Sequence, residues 1–209
     1  IRYDRSEYTV TFDSNGGTYV ETIFAVYGQP LTMPANPTRP GYMFVNWTPD
    51  ASTLPPAMPA NNLSFIAKWD AVESPYTVIH WLENANDTNY SFDSLQTAQG
   101  LTGTSPAYTA KSFDYFTLDA TKTNDELSGK TINGNGSTVV NVYYSRNVYT
   151  INFYKNSNST SPIEHTISAK YQANIEWPVT RADYVEGGDK DGSDNFDVWS
   201  VVGQTSWTQ

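Results

Sequence analysis

Tyr8-Thr9-Val10-Thr11-Phe12 returns as Tyr76-Thr77-Val78-Ile79-His80 and again as Tyr149-Thr150-Ile151-Asn152-Phe153, 68 and then 73 residues further along. Each copy alternates. Strand side chains have period two, so Tyr8, Val10 and Phe12 fall on one face and Thr9, Thr11 and Asp13 on the other. The pattern predicts three half-buried strands, each opening a module, because self-similarity at a near-fixed spacing marks an array.

Other blocks keep the same order. Ala25-Val26-Tyr27-Gly28-Gln29-Pro30 aligns with Ala169-Lys170-Tyr171-Gln172-Ala173-Asn174, at an offset three residues longer than that of the opening strands. The loop at 156–161 absorbs the difference. Residues 63–69 and 137–144 alternate and are rich in β-branched and aromatic side chains, so each reads as a closing strand. Tyr144-Ser145-Arg146 mirrors Tyr3-Asp4-Arg5, which reads residues 1–7 as the end of an upstream repeat. The modules are then 8–70, 76–145 and a divergent, incomplete third at 149–209, with no closing strand after Trp207. The linkers at 71–75 and 146–148 are too short to act as free tethers. Three such modules in line would extend roughly 90 Å, each having a radius of gyration of about 11 Å.

The 209 residues carry a net charge of −10, only 16% charged side chains, 14% aromatics and no cysteine. An acidic surface repels phosphates, so nucleic acid is a poor partner, and no stretch is apolar enough for membrane insertion. Without cysteine there is no disulfide, thiolate zinc site or thiol nucleophile. The composition is that of a β-rich α+β protein of small modules, each held by aromatic core packing from Phe44, Trp47, Phe65, Trp69, Trp81, Trp177 and Trp199. A buried ring contributes about 2–3 kcal/mol. Asn15-Gly16 predicts a tight turn between the first strand and a second at 18–26. Pro34, Pro37 and Pro40 exclude regular structure before a strand at 42–47. A short helix is expected at 121–127, with Asp119 or Thr121 as N-cap and Gly129 as stop.

Residues 8–69 resemble the Listeria–Bacteroides repeat, the internalin B-type B-repeat. The blocks are Tyr8-Thr9-Val10-Thr11-Phe12-Asp13-Ser14-Asn15-Gly16-Gly17, Tyr27-Gly28, Pro37-Thr38-Arg39-Pro40-Gly41-Tyr42-Met43-Phe44-Val45-Asn46-Trp47, Met58-Pro59-Ala60-Asn61-Asn62 and Ala67-Lys68-Trp69. Asn46 stands where the family often has Gly. Residues 76–144 are similar to mucin-binding-protein-type (MucBP-like) repeats, above all at Asn135-Gly136-Ser137-Thr138-Val139-Val140-Asn141-Val142-Tyr143-Tyr144. The third module looks like a relative of the first without its Thr-Arg-Pro-Gly-Tyr block. The resemblance implies tandem β-grasp (ubiquitin-like) modules and the surface of a Gram-positive bacterium, extracellular and cell-wall anchored through another part of the precursor.

Little in the chain suggests chemistry. His80 falls on the core face in register with Phe12, and His165 lies in a strand as an exposed residue. Neither belongs to a nucleophile–base set. No glycine-rich loop leads into a helix of a βαβ unit. Asp189, Asp191, Ser193, Asn195 and Asp197 alternate in a way that could present oxygens to calcium, but their glycine stands at the fourth loop position rather than the sixth, and a solvated acidic loop is the simpler reading. An intramolecular isopeptide bond would need a buried lysine beside a carboxyl or amide; the sequence locates none, and Lys68 alternates with the core-facing positions Phe65, Ala67 and Trp69. The expectation is a non-enzymatic array without a cofactor, whose constant partners are its neighbouring repeats. It acts as a stalk projecting a distal adhesin; the alternative is a module that binds host extracellular glycoproteins or glycans directly.

Overall fold

The computed structural model describes residues 6–49, 53–154 and 163–175, with the backbone alone at 153–154 and 163–164. Four strands form the first sheet: β1 (Glu7–Asp13), β2 (Ile23–Val26), β3 (Tyr42–Thr48) and β4 (Leu63–Ala71), in the order β2-β1-β4-β3. The central pair β1–β4 is parallel and both flanking pairs are antiparallel. Alternation in β1 works as expected: Val10 and Phe12 are buried while Thr11 and Asp13 are exposed. Phe12 packs edge-on against Trp47 (5.1 Å) and stacks on Phe65 (5.7 Å), and Phe44 lies edge-on to both Trp47 and Trp69. A register shift between Phe44 and Asn46 lets Phe44 and Trp47 both reach this core although their spacing is odd.

Asn15 (φ 47°) and Gly16 (φ 85°) make the expected turn, closed by the Gly17 amide donating to the Ser14 carbonyl (3.0 Å). The second strand, however, is Ile23–Val26 and not 18–26. It pairs with residues 7–10, and Glu7 stands opposite Val26, so residues 18–22 bridge back outside the ladder. Gly17 has a separate reason to be glycine. The Trp69 ring lies where its Cβ would be, at 2.5 Å, and the indole N–H donates to the Ser14 carbonyl (2.9 Å).

The second sheet repeats this order. It contains β5 (Glu73–Glu83), β6 (Tyr90–Leu101), β7 (Phe116–Leu118) and β8 (Val139–Arg146), arranged β6-β5-β8-β7. Tyr76, Val78 and His80 are buried along β5, as the alternation requires. One helix, α1 (Ala120–Leu127), lies between β7 and β8. Asp119 precedes it, and Gly129 (φ 72°) ends it in the left-handed conformation. Eight residues are too few to be helical alone. Thr123 is fully buried, and the Glu126 carboxylate accepts from Lys130 (2.6 Å) and from Asn141 (2.8 Å). The third copy supplies β9 (Val148–Tyr154) and β10 (Ile163–Lys170), an antiparallel pair like β1–β2. Here Tyr149 is 46% exposed while Ile151 on the same face is half-buried, and the two strands have no further sheet partner among the described residues.

Close contacts divide the chain into two compact units: the described residues of 1–80, 94–110 and 120–142, and those of 81–93, 111–119 and 143–175. Strands β5, β6 and β8 contribute to both.

Candidate functional site

Among the described residues no group of three or more His, Cys, Asp or Glu is placed to hold a metal ion. The loop bearing Asp189, Asp191, Ser193, Asn195 and Asp197 lies outside the described residues, as do 1–5, 156–161, Trp177 and Trp199. His80 is buried in the core and His165 is exposed on β10, which agrees with their sequence reading. Lys68 is exposed on β4, as its alternation with the core-facing positions implies. What the structure brings together instead are the places where one repeat meets the next.

The linkers are shorter than the sequence suggested. Val72 alone separates β4 from β5, and Asn147 alone separates β8 from β9. Each is bonded on both sides of its backbone. The Val72 amide donates to the Gly41 carbonyl (2.9 Å), and its carbonyl accepts from the Thr102 amide (3.0 Å). The Asn147 amide donates to the Tyr115 carbonyl (2.8 Å), and its carbonyl accepts from the Tyr171 amide (2.9 Å). The positions correspond: Gly41 and Tyr115 directly precede β3 and β7, while Thr102 and Tyr171 directly follow β6 and β10.

The turn that delivers the acceptor is also shared. Arg39-Pro40-Gly41-Tyr42 closes with the Tyr42 amide on the Arg39 carbonyl (3.0 Å), and Phe113-Asp114-Tyr115-Phe116 closes with the Phe116 amide on Phe113 (3.2 Å). The third residue is left-handed in both, Gly41 at φ 76° and Tyr115 at φ 67°. Such a turn favours proline second and glycine third, as in Pro40-Gly41. Tyr115 adopts the same backbone at a steric cost of about 1–2 kcal/mol.

Side chains then make the two joints different. At the first joint, which lies within the first unit, Gly41 and Gly134 are packed so closely that a Cβ on Gly134 would overlap the Pro40 carbonyl, and one on Gly41 would overlap Thr102. The Ser74 and Thr102 hydroxyls bond at 2.8 Å, both buried. The second joint lies within the second unit and is charged and aromatic. Arg146 donates to the carbonyls of Glu83 (2.7 Å) and Tyr171 (3.1 Å), and its guanidinium sits 4.8 Å from the Phe116 ring centre. Lys170 pairs with Glu83 at 2.5 Å and donates to the Asp87 carbonyl (2.7 Å). Tyr115 stacks on Tyr171, ring centres 4.0 Å apart. The Asp87 carboxylate, accepting from the Asn89 amide (2.7 Å) and from Asn84, is held below the ordinary aspartate range, chiefly by the Asn89 amide. Burial pushes the Tyr90 phenol up, and the Lys130 hydrogen bond draws the Glu126 carboxyl down.

Sequence reasoning missed Val72, Gly41, Thr102, Asn147 and Tyr115 as a set. The signal that could have found them is the alignment of Tyr27 with Tyr171, each directly following a second strand.

Two bacterial proteins each match a stretch of this chain. One of Evansella cellulosilytica, carrying the name "Putative membrane protein", is 33% identical over 73 residues, 32% of this chain and 11% of its own length. Another from the same organism, "Putative Gly-rich membrane protein", is 32% identical over 74 residues, 33% of this chain and 9% of its own. The matched stretch is thus about a tenth of either relative. No helix among the described residues is long and apolar enough to cross a membrane. The family model of the Listeria-Bacteroides repeat domain, a repeat that is generally non-catalytic, matches residues 8–68, the first of the modules read from the sequence.

Proposed function

We propose that this chain is a non-enzymatic spacer of a bacterial cell-surface protein, an array of β-grasp repeats that carries a distal adhesin domain away from the wall. The observation that carries this reading is the doubly bonded linker residue, found at Val72 and again at Asn147. A one-residue linker bonded on both sides fixes each repeat on its neighbour, which a projecting stalk needs and a flexible tether lacks. The shared sheet order, with the parallel pair in the centre of the first sheet, supports the β-grasp assignment. The surface setting draws on the membrane-protein names of the two relatives. Small-angle scattering of the full chain tests it. A 90 Å rod has a radius of gyration of roughly 26 Å, whereas a compact 209-residue globule has about 17 Å. The lower value would overturn the spacer.

Direct binding of host glycoprotein or glycan is the second reading. It draws on Tyr19 (83% exposed) and Phe24 (63% exposed), rings available for stacking on a sugar face. No glycan-array signal for the intact chain, or a signal that survives in a Tyr19→Ala, Phe24→Ala variant, would remove it.

A further inference from the structure

One half of the joint occurs a third time among the described residues. Ser6 directly precedes β1, as Val72 precedes β5 and Asn147 precedes β9. Tyr27 directly follows β2, as Thr102 follows β6 and Tyr171 follows β10. The Tyr27 amide donates to the Ser6 carbonyl at 3.0 Å, which reproduces Thr102 on Val72 and Tyr171 on Asn147. In the two complete joints the other half comes from the preceding repeat, as the carbonyl of a left-handed residue.

The side chain at this position differs in kind. Thr102 is small and lies under Gly41, where even a Cβ on that glycine would overlap it. Tyr171 is a ring and lies on the Tyr115 ring. Tyr27 is of the second kind, and 54% exposed. We propose that the face formed by Ser6 and Tyr27 is a docking surface for a repeat of the second type, that of residues 76–146, whose Tyr115-like residue offers a carbonyl to the Ser6 amide and a ring to Tyr27. The joint thereby encodes order. A repeat with tyrosine after its second strand follows one that ends in an aromatic left-handed turn. A repeat with a small residue there follows one that ends in Pro-Gly.

This inference rests on the spacer reading, so its test carries an internal control. Two extended chains are made in which residues 1–5 are replaced by a repeat placed directly ahead of Ser6, either 73–146 (second type) or 8–71 (first type). Amide hydrogen exchange is then read at Ser6, Val72 and Asn147. The expected result is that the second-type repeat slows Ser6 into the range of Val72 and Asn147, while the first type leaves it fast. Tyr27→Phe should keep that protection and Tyr27→Ala should lose it. In the added repeat, Tyr115→Phe should keep it, Tyr115→Gly, which removes the ring, should lose it, and Tyr115→Pro, whose φ is locked negative, should abolish it. Slow β5 amides in the added repeat show that the graft is folded. Fast Ser6 behind a folded second-type repeat, with Val72 and Asn147 slow, overturns the order code and leaves the spacer standing. Equal protection by both repeats overturns it as well. Fast exchange at Val72 and Asn147 removes the spacer and this proposal together.

Discussion

The two joints share one backbone and two chemistries. At Val72 the neighbouring repeat is held by small residues, Gly41, Gly134, Ser74 and Thr102, whose contact is steric and buried. At Asn147 the same pair of backbone bonds is surrounded by Arg146, Glu83, Lys170 and the Tyr115–Tyr171 stack. The backbone bonds set how the repeats are joined, and the side chains decide which conditions the joint withstands. A packed joint should respond to volume and ignore salt and acid. A charged one should do the reverse.

The largest effect is expected from volume at the first joint. Gly134→Ala places a methyl against the Pro40 carbonyl, and backbone cannot give way as a flexible side chain can. Overpacking of this kind costs about 3 kcal/mol. Denaturant unfolding should show that loss, and hydrogen exchange should quicken at Val72 but not at Asn147. An unchanged midpoint would mean that the glycine contact is not what closes the joint.

Next comes Arg146→Ala at the second joint. It removes charged bonds to the Glu83 and Tyr171 carbonyls, a bond to the Gln172 side chain (3.0 Å) and the contact over Phe116. Hydrogen bonds to a charged group contribute about 1.5–3 kcal/mol, and the arginine is only half-buried, so a loss of about 2 kcal/mol is expected. Exchange should quicken at Asn147 and Tyr171 while Val72 keeps its protection. Quickening at both linkers would break the view that the joints are independent.

How much of this was legible beforehand follows from where the information sits. Side-chain periodicity placed Val10, Phe12, Tyr76, Val78 and His80 in cores, because burial in a strand is written as alternation. The Asn15-Gly16 turn and the Gly129 helix stop were legible because positive φ selects residue types. The joints were not, because their common element is backbone bonded to backbone, which any residue can supply. Gly41 and Tyr115 occupy one conformation and have nothing in common as letters. The Thr-Arg-Pro-Gly-Tyr block was seen as a family mark, but its use, aiming the Gly41 carbonyl at Val72, appears only in three dimensions. The short β2 was missed for a related reason: ladder register, not propensity, decides that residues 18–22 leave the sheet.

A smaller effect should separate the joints without any mutation. Lys170 and Glu83 are a quarter and an eighth exposed, so salt screens their pairing only in part. Raising sodium chloride to 1 M should weaken the second joint by about 0.5–1 kcal/mol, read as faster exchange at Asn147, with Val72 unaffected. Glu83→Gln should remove that salt response. If Val72 responds equally, the difference between the joints is not electrostatic.

The smallest effect is acid sensitivity. Asp87 holds the turn from which its own carbonyl receives Lys170 and from which the Asn86 side chain accepts the Asn174 amide (2.7 Å). Its carboxyl titrates below its ordinary value of 3.8, chiefly because the Asn89 amide favours the charged form. A depressed pKa means that the folded state binds the proton more weakly than the unfolded chain. The stabilisation is therefore complete above the ordinary value and is lost as pH falls through the lower, folded one. Exchange at Asn147 and Asn174, corrected for the intrinsic pH dependence, should quicken below pH 3.8 relative to Val72, whose surroundings in the first joint are hydroxyls, glycines and backbone. Asp87→Asn keeps the shape but cannot charge, so it should give the second joint its acid behaviour already at pH 7 and flatten the profile. A profile that survives the substitution would move the acid response away from Asp87 and leave the charged joint distinguished by salt alone.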